Sequence, residues 1–483
     1  MWALLDRWVT WALSTLVVII LARLLTPREF GIVALALVVR YFLGVFIDQG
    51  FSEAIVQTPE LSRAYANTAF WTAITTGTLL TLVTFGAAPF IARDILGDAS
   101  VAPLLRVLAF SLMLTALSST QSALLQRNLA FRELAIRRVV AEFVAGVAAI
   151  VAAFLGAGAW SIVLQALLQG GIGTVILWRY SDWRPAVQFH LPTFRLLAVF
   201  GVSMVGIDIL TVVQQQADNF LVGRSLGVAA LGIYALAFRF YFVIVDITMS
   251  SMSSVALSTF ARVQRDLPAI RRLFLSGTRL TALVALPFFA GLGMVAPEMI
   301  SALVGDKWDA AAPVLRALCP SGLILCLTYL DRSLIVALGR PRLALGVTAA
   351  GVALRLIGYL VGVRFGVVGV AVGLSVTSIV FWPCRLIVIR AITGVSLVRY
   401  ARQLSSASVG TGVMVLALLL VRTLVQGHVG ALGLLGAQVL TGALAYGASL
   451  AVVDRASVHE LIGLVRPVLP GSMRRSTTKS GER

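Results

Sequence analysis

The sequence predicts an all-α membrane protein with about fourteen transmembrane helices. Of its 483 residues, 59% are hydrophobic and only 12% are charged, and the mean hydropathy is +0.95. Apolar runs of about 20 residues, the length that crosses the hydrocarbon core of a bilayer, recur from one end of the chain to the other. Short loops separate these runs, and no loop is long enough for a soluble catalytic domain. Together these observations predict a polytopic protein embedded in a membrane.

Fourteen apolar runs are candidate spans, each bounded by polar or glycine-containing corners. They cover residues 8–25, 30–56, 67–90, 102–125, 135–155, 159–178, 194–222, 230–260, 273–296, 310–334, 343–363, 367–389, 404–425 and 429–453. The residues that follow, 454–483, are polar and predict a cytoplasmic tail.

The loops alternate in charge along the chain. Connections after even-numbered spans carry the arginines: Arg127, Arg132, Arg137, Arg138, Arg179, Arg184, Arg195, Arg262, Arg265, Arg271, Arg272, Arg340, Arg342, Arg390, Arg399 and Arg402. The odd-numbered connections are poorer in arginine. Because cytoplasmic loops are enriched in Lys and Arg, this pattern places both termini in the cytoplasm. The net charge of +18 is therefore assigned to topology rather than to nucleic-acid binding.

Cysteine and histidine give no sign of a metal centre or of disulfides. Cys319, Cys326 and Cys384 all lie within apolar runs. Cys319 and Cys326 are separated by about 10 Å of helical rise, which is too far for a disulfide. The three histidines are scattered along the chain. No cofactor is expected apart from a coupling ion, Na⁺ or H⁺.

The two halves of the chain resemble each other. An offset of 201 aligns Arg23 with Arg224 and the segment 30–36 with 231–237, and an offset of 210 aligns 102–106 with 312–316. Six spans per half give both halves the same orientation, as in transporters whose two lobes are related by an axis along the membrane normal. The sequence thus predicts an N-lobe at 1–178, a linker at 179–193, a C-lobe at 194–392 and an extra helix pair at 393–453.

Charged residues inside spans are costly and are therefore functional candidates. Arg40 and Asp48 lie eight residues apart in span two, and Arg239 and Asp246 lie seven apart in span eight, so each pair returns to one helix face. The hypothesis is a cavity in which arginines hold a phosphate or pyrophosphate. The candidates for the cavity are Arg40, Asp48, Glu53, Arg239, Asp246, Arg279 and Arg355. The candidates for ion coupling are Asp208, Asp218 and Glu142.

The alternative interpretation is that these charges form structural ion pairs or extend to the membrane interface. For Asp218, near the outer boundary, a structural role is at least as well supported as a functional one. Prolines inside spans, Pro287, Pro320 and Pro383, free backbone carbonyls and allow kinks that serve either as hinges or as simple packing features.

No catalytic motif is present, so an enzyme is not expected. Neither lysine lies in a P-loop pattern, and no Asp-x-Asp motif indicates a metal-dependent glycosyltransferase. Without a nucleotide site, transport would draw on an ion gradient, the membrane potential or a substrate gradient.

Several segments resemble bacterial polysaccharide-biosynthesis flippases of the Wzx type, within the multidrug/oligosaccharidyl-lipid/polysaccharide exporter superfamily. The segments are 24–31, 48–54, 67–71, 125–131 and 218–224, the last followed by Gly232-Ile233-Tyr234. The resemblance covers about residues 21–392 and implies two six-helix lobes, a central cavity and alternating access. It also implies a location in the bacterial inner membrane and transport of undecaprenyl-pyrophosphate-linked oligosaccharide to its outer leaflet for exopolysaccharide, capsule or O-antigen synthesis.

Two other functions are weighed against this one. A cation-coupled drug antiporter of the same superfamily should have a site dominated by acids and aromatics, whereas here each half contributes an arginine. A membrane glycosyltransferase or polymerase should have a large extramembrane loop with catalytic carboxylates. The expected partners are the lipid-linked oligosaccharide, membrane lipids and the polysaccharide polymerase machinery.

Overall fold

The computed structural model describes residues 2–58, 61–262, 266–425 and 430–454, and within them every regular element is a helix. The α-helices are α1 Trp2–Leu24, α2 Pro27–Asp48, α3 Phe51–Gln57, α4 Arg63–Phe90, α5 Val101–Arg127, α6 Phe131–Phe154, α7 Trp160–Tyr180, α8 Leu191–Leu226, α9 Val228–Arg262, α10 Leu267–Val304, α11 Ala311–Leu327, α12 Tyr329–Ala337, α13 Pro341–Gly362, α14 Gly366–Thr393, α15 Leu397–Val425 and α16 Ala431–Val453. A π-helix, Ile91–Leu96, continues α4, and short 3-10 turns occupy Asp306–Trp308 and Val363–Phe365.

The described helices fit a multi-pass membrane protein. Ten of them are long and apolar enough to cross a bilayer, or eleven when the bent α8 is counted as one span. The helix α6 is not among these, and its first eight residues carry four charges. The all-helical membrane fold is therefore as predicted, while the count of fourteen stays a prediction. The predicted tail falls, beyond Asp454, outside the described residues.

The predicted span 30–56 is too long, because the helix breaks inside it. The predicted span 30–56 divides between α2 and α3, where Gln49 and Gly50 adopt left-handed conformations with φ of 47° and 70°. The predicted span 310–334 contains a one-residue break at Thr328, between α11 and α12, but the stretch Ala311–Ala337 still counts as one candidate span. The break at Gln49 and Gly50 has a mark in the sequence, since five of the six residues from Asp48 to Glu53 are polar or glycine.

The chain divides into two compact units. The first comprises the residues up to Ala237 together with Leu303–Ala311 and Tyr359–Val370. Within it α1 packs on α6, α6 on α7, and α5 on α2, α4 and α7, while α8 packs on α2. The second comprises Phe238–Ala302, Ala312–Gly358 and the described residues from Ala371 onward, and there α15 packs on α16. The predicted lobe boundaries stay a prediction.

A close helix crossing in the first unit depends on two glycines. A Cβ atom on Gly31 would lie 1.6 Å from the carbonyl oxygen of Val228, and one on Gly232 would lie 1.8 Å from the carbonyl oxygen of Pro27. Because backbone atoms fill these positions, no rotamer change can make room for a side chain. The contacts are reciprocal under the offset of 201, which takes Pro27 to Val228 and Gly31 to Gly232.

The two corners beside this crossing are also related by that offset. Arg23 donates its Nε–H to the carbonyl oxygen of Leu303 at 2.6 Å, and Arg224 packs against Gly97. The indole of Trp308 adds a hydrogen bond of 2.8 Å to the carbonyl oxygen of Ala22. Arg23 at the end of α1 thus contacts the end of α10, and Arg224 at the end of α8 contacts the residue after the π-helix that continues α4. Both α4 and α10 contain proline.

Prolines inside two helices free carbonyl groups that arginines then satisfy. Pro89 in α4 has no N–H, so the carbonyl of Phe85 loses its helical partner. Arg106 of α5 donates its Nε–H to that oxygen at 3.3 Å. In the second unit, Arg316 donates its Nε–H to the carbonyl oxygen of Gly293 at 3.0 Å. Gly293 lies four positions before Pro297, so its carbonyl is freed in the same way. The matched arginines at the start of spans four and ten therefore cap carbonyl groups freed by prolines.

Replacement of Gly31 by Ala should destabilise the fold by about 1–3 kcal/mol or more, because the new methyl group overlaps backbone that cannot move independently. The apparent unfolding midpoint in detergent measures this loss. Gly44→Ala is the matched control on the same helix, since a Cβ there meets nothing within 4 Å. This control should be neutral or slightly stabilising, because Ala is the better helix former. Equal midpoints for the two variants would contradict the assigned crossing.

Arg106→Ala should destabilise the protein less when Pro89 is also replaced by Ala. The restored N–H of residue 89 can bond the Phe85 carbonyl, so the arginine is no longer needed, and we expect a coupling of about 1 kcal/mol. Unfolding midpoints of the four variants give the coupling. Pro103→Ala is the control background, since Pro103 lies in the first turn of α5, where a backbone N–H has no helical partner. Equal coupling in both backgrounds would rule the contact out.

Candidate functional site

Arg40 lies in the middle of α2 and is held by a hydroxyl group. The helix begins at a capping box in which Thr26 accepts from the backbone N–H of Glu29, and the Glu29 carboxylate accepts in return from the N–H of Thr26. Fourteen residues after Thr26, the half-buried Arg40 donates its Nε–H to Oγ of Ser111 on α5 at 2.8 Å. The bond fixes the plane of the guanidinium and leaves its two Nη groups for a ligand.

The second unit has an equivalent polar contact at the matching positions. The hydroxyls of Tyr241 and Ser321 lie 3.3 Å apart. The offsets of 201 and 210 take Arg40 to Tyr241 and Ser111 to Ser321. Spacing to an acid predicts Arg239 as the counterpart of Arg40, but the contacts match Arg40 with Tyr241. One half therefore presents an arginine where the other presents a buried tyrosine.

Three more cavity candidates lie in the second unit. Arg355 of α13 is near enough to Tyr241 to interact with it electrostatically. Arg239 and Asp246 are half-buried on α9. The structure therefore brings Arg355 close to Tyr241, whereas Arg239 and Asp246 lie on other faces of α9 than Tyr241.

Three carboxylates gather at the break between α2 and α3 in the first unit. Asp48 accepts from the hydroxyl of Ser52 at 2.6 Å and from its backbone N–H at 3.3 Å, so it caps α3. Glu53 of α3 and Asp208 of α8 lie near enough to Asp48 to interact with it electrostatically. The structure thus brings together two cavity candidates and one ion-coupling candidate. In the described part of the chain, no group of three or more His, Cys, Asp or Glu residues is arranged to hold a metal ion.

The other two ion-coupling candidates are buried and hydrogen-bonded. Asp218 is 2% exposed, and it accepts from the hydroxyl of Tyr234 and from the N–H of Asn219, both at 2.8 Å. Glu142 on α6 accepts from the side-chain amide of Gln169 on α7. Asp218 ties α8 to the start of α9, as a structural role requires.

Arg279 is engaged at the end of the last described helix. Its guanidinium forms a 2.8 Å ion pair with Asp454, directly after α16. For Arg279 this contact agrees with the alternative interpretation, a structural ion pair.

Two ion pairs in the second unit were not singled out from the sequence. Arg385 donates to Asp331 at 3.0 Å, and Arg422 pairs with Glu298 at 3.1 Å. Asp331 is 2% exposed, so its charge needs this partner. Both Asp331 and Arg385 lie within predicted spans, and the rule that flagged Arg40 would have found them.

Solved structures share this fold. The lipid II flippase MurJ in an inward closed conformation matches with a TM-score of 0.78 and 12% identity, over 94% of this chain and 99% of that one. An inward-facing multidrug resistance transporter of the MATE family matches with a TM-score of 0.63 and 16% identity, over 80% of this chain and 96% of that one. At such identities the likeness concerns the fold alone.

Curated relatives match at higher identity. The succinoglycan biosynthesis transport protein ExoT of Rhizobium meliloti (strain 1021) is 29% identical over 331 residues, 68% of this chain and 67% of ExoT. The teichuronic acid biosynthesis protein TuaB of Bacillus subtilis (strain 168) is 29% identical over 306 residues, 63% of each chain. The lipopolysaccharide biosynthesis protein WzxC of Escherichia coli (strain K12) is 23% identical over 382 residues, 78% of this chain and 77% of WzxC. The chain therefore spans less than two thirds of TuaB and about two thirds of ExoT.

The signature of one family covers more than half of the chain. The family described as polysaccharide biosynthesis protein matches residues 20–313, which include α2, α5, α8 and the crossing of Gly31 with Gly232. The resemblance drawn from the sequence pointed to the same group of proteins. The chain is a multi-pass bacterial membrane protein that belongs to the polysaccharide biosynthesis protein family.

Proposed function

We propose that the protein is a flippase that moves a lipid-linked oligosaccharide across the inner membrane for surface polysaccharide synthesis. The observation that carries this proposal is the family match over residues 20–313, on a fold shared with a lipid II flippase. The relatives named above act in succinoglycan, teichuronic acid and lipopolysaccharide biosynthesis, and ExoT is named as a transport protein. The substrate is an undecaprenyl-pyrophosphate-linked repeat unit of exopolysaccharide, capsule or O-antigen.

Arg40 is the group that recognises the diphosphate in this proposal. A guanidinium in an apolar helix pays a desolvation cost that a phosphate can offset through paired, charge-assisted hydrogen bonds. Ser111 occupies Nε and holds the fork of Nη donors in one orientation. A guanidinium that is already held in one orientation loses little conformational entropy when it binds two phosphate oxygens.

Alternating access between two lobes is part of the proposal. The reciprocal contacts of Gly31 with Val228 and of Gly232 with Pro27 are those that an approximate two-fold relation predicts, since each residue meets the partner's equivalent. The matched arginine caps on α4 and α10 support the internal repeat. A coupling ion, Na⁺ or H⁺, would act at the carboxylates of Asp48, Glu53 and Asp208.

The proposed topology has both termini in the cytoplasm, where the substrate is loaded. Membrane lipids surround the spans, and the polymerase machinery would receive the repeat unit on the other side.

A cation-coupled drug antiporter is the second candidate, because a MATE transporter shares the fold with a TM-score of 0.63. The Arg40–Ser111 pair favours an anionic substrate over a cationic drug.

Deletion of the gene should leave lipid-linked repeat units facing the cytoplasm and abolish surface polysaccharide. Accessibility of the repeat units to a lectin that cannot cross the membrane measures this, together with staining of the surface polymer. The wild-type gene supplied on a plasmid is the control. Normal polysaccharide with raised sensitivity to cationic dyes would contradict the flippase and favour the antiporter.

Arg40→Ala should reduce export at least tenfold at an unchanged protein level, because the diphosphate loses its forked donor. Arg40→Lys keeps the positive charge but loses the paired Nη donors. Ser111→Ala keeps these donors but loses the hydrogen bond that orients the guanidinium. Both variants should therefore retain partial export. Arg342→Ala, which removes an exposed arginine, should leave export unchanged. Surface polysaccharide per cell, normalised to membrane-inserted protein, is the measurement. Wild-type export by Arg40→Ala would remove Arg40 from the proposed site.

A further inference from the structure

An apolar groove lies in the first unit between α2, the π-helix and α8. Its volume is about 480 Å³, within the range of pockets that hold small molecules. The residues that line it are Val38, Val39, Phe42, Leu43, Ile91, Ile95, Leu96, Val212, Val213, Gln216, Ala217 and Phe220. Eleven of these twelve are apolar, and none is among the cavity or ion-coupling candidates.

The lining restricts what the groove can hold. Apolar cavities of this kind disfavour water, since a water molecule needs two to four polar partners. Along α8 the lining runs from Val212 to Phe220, which is about 12 Å of helix. An elongated apolar space of this length suits a stretch of hydrocarbon chain rather than a compact polar molecule.

One end of the groove carries a positive charge. Gln216 and Phe220 line it, and Arg224 lies one further turn along the same face of α8. Leu96 is the last lining residue of the π-helix, and the position of a Cβ on the next residue, Gly97, lies 2.9 Å from Nη1 of Arg224. The guanidinium therefore lies directly beyond the apolar lining.

The corner beneath Arg224 is shaped for it. Gly97 has φ of +83°, which favours glycine, and a side chain there would displace the arginine. Asp98 is engaged with Ser100, whose N–H and hydroxyl both donate to its Oδ1. Among the residues that the structure describes, Arg224 is exposed and forms no ion pair, whereas its repeat equivalent Arg23 donates to a main-chain oxygen.

We propose that this groove holds part of the isoprenoid chain of the lipid-linked substrate, with Arg224 in contact with the adjoining phosphate. An apolar slot that ends at an unpaired guanidinium complements a hydrocarbon chain that ends in a phosphate. The identity of the lipid rests on the proposed function, whereas the apolar groove and the position of Arg224 at its end do not. In the proposed topology α8 ends at the outer side, so the groove would hold the chain once the head group has crossed.

Photo-labelling of the purified full chain in proteoliposomes tests the groove directly. The probe is a polyprenyl diphosphate with a photoactivatable diazirine on its chain, and a phosphatidylglycerol with the same diazirine is the comparison lipid. We expect the polyprenyl probe to label peptides 91–96 and 212–220, and unlabelled polyprenyl diphosphate to compete at least tenfold better than phosphatidylglycerol. Labelling confined to other helices, or equal competition by phosphatidylglycerol, would overturn the proposal.

Two substitutions test the apolar groove and the charge of Arg224 separately. Ala217→Trp fills the groove and should reduce labelling at 91–96 at least tenfold, whereas Leu79→Trp, on an exposed apolar position of α4, should not. Arg224→Ala should weaken competition by polyprenyl diphosphate about tenfold and leave competition by uncharged polyprenol unchanged. Undiminished labelling of Ala217→Trp, or equal loss for diphosphate and polyprenol in Arg224→Ala, would contradict the assignment. If Ala217→Trp does not fold, Val213→Phe replaces it.

The labelling requires no transport, so the two proposals fail separately. Labelled groove peptides in a protein that moves no oligosaccharide would leave the groove standing and refute the flippase. Transport without groove labelling would refute the proposed groove and leave the flippase standing.

Discussion

The approach of α2 to α9 at Gly31 and Gly232 is the constraint on which the first unit depends. Each glycine lies against main-chain oxygen of the opposite helix, so their separation is set by backbone alone. The helix α2 also carries Arg40 and one wall of the apolar groove. A shift at the crossing would therefore move the candidate phosphate ligand and the groove together. A transporter that must change shape benefits from such a fixed point, because packed backbone transmits a displacement rather than absorbing it.

Polar groups in an apolar environment must be satisfied internally, and this separates structural charges from available ones. Arg106 and Arg316 cap carbonyls freed by prolines, and Asp218 is held by Tyr234. Their exposure or intramembrane position alone would have made them look functional. Arg40 differs from Arg106 and Arg316 in its partner, because its Nε–H binds the side-chain hydroxyl of Ser111 rather than a carbonyl freed by a proline. Arg224 lies beside Gly97 at the end of the apolar groove.

The helices and the membrane setting were predictable from the sequence, because hydropathy acts over about 20 residues and does not depend on distant contacts. The repeat offset also aligned Gly31 with Gly232, although alignment cannot tell that the two glycines face each other. The helix break at Gln49 and Gly50 was missed, although the polar residues from Asp48 to Glu53 interrupt the apolar run there. The match of Arg40 with Arg239 rested on spacing to an acid, whereas the contacts follow register and give Tyr241. The acid trio was also missed, because Asp208 comes from a helix 160 residues after Asp48.

Translocation in proteoliposomes tests the central claim most directly. Purified protein would be reconstituted with a polyprenyl-diphosphate-linked oligosaccharide, and the fraction of sugar accessible to an external glycosidase would be followed over time. The account predicts that the accessible fraction changes much faster than in empty vesicles, and that Arg40→Ala returns the rate to that background while Arg342→Ala does not. An unchanged rate for Arg40→Ala, or no acceleration by the wild-type protein in vesicles with either an imposed Na⁺ or H⁺ gradient, would contradict it.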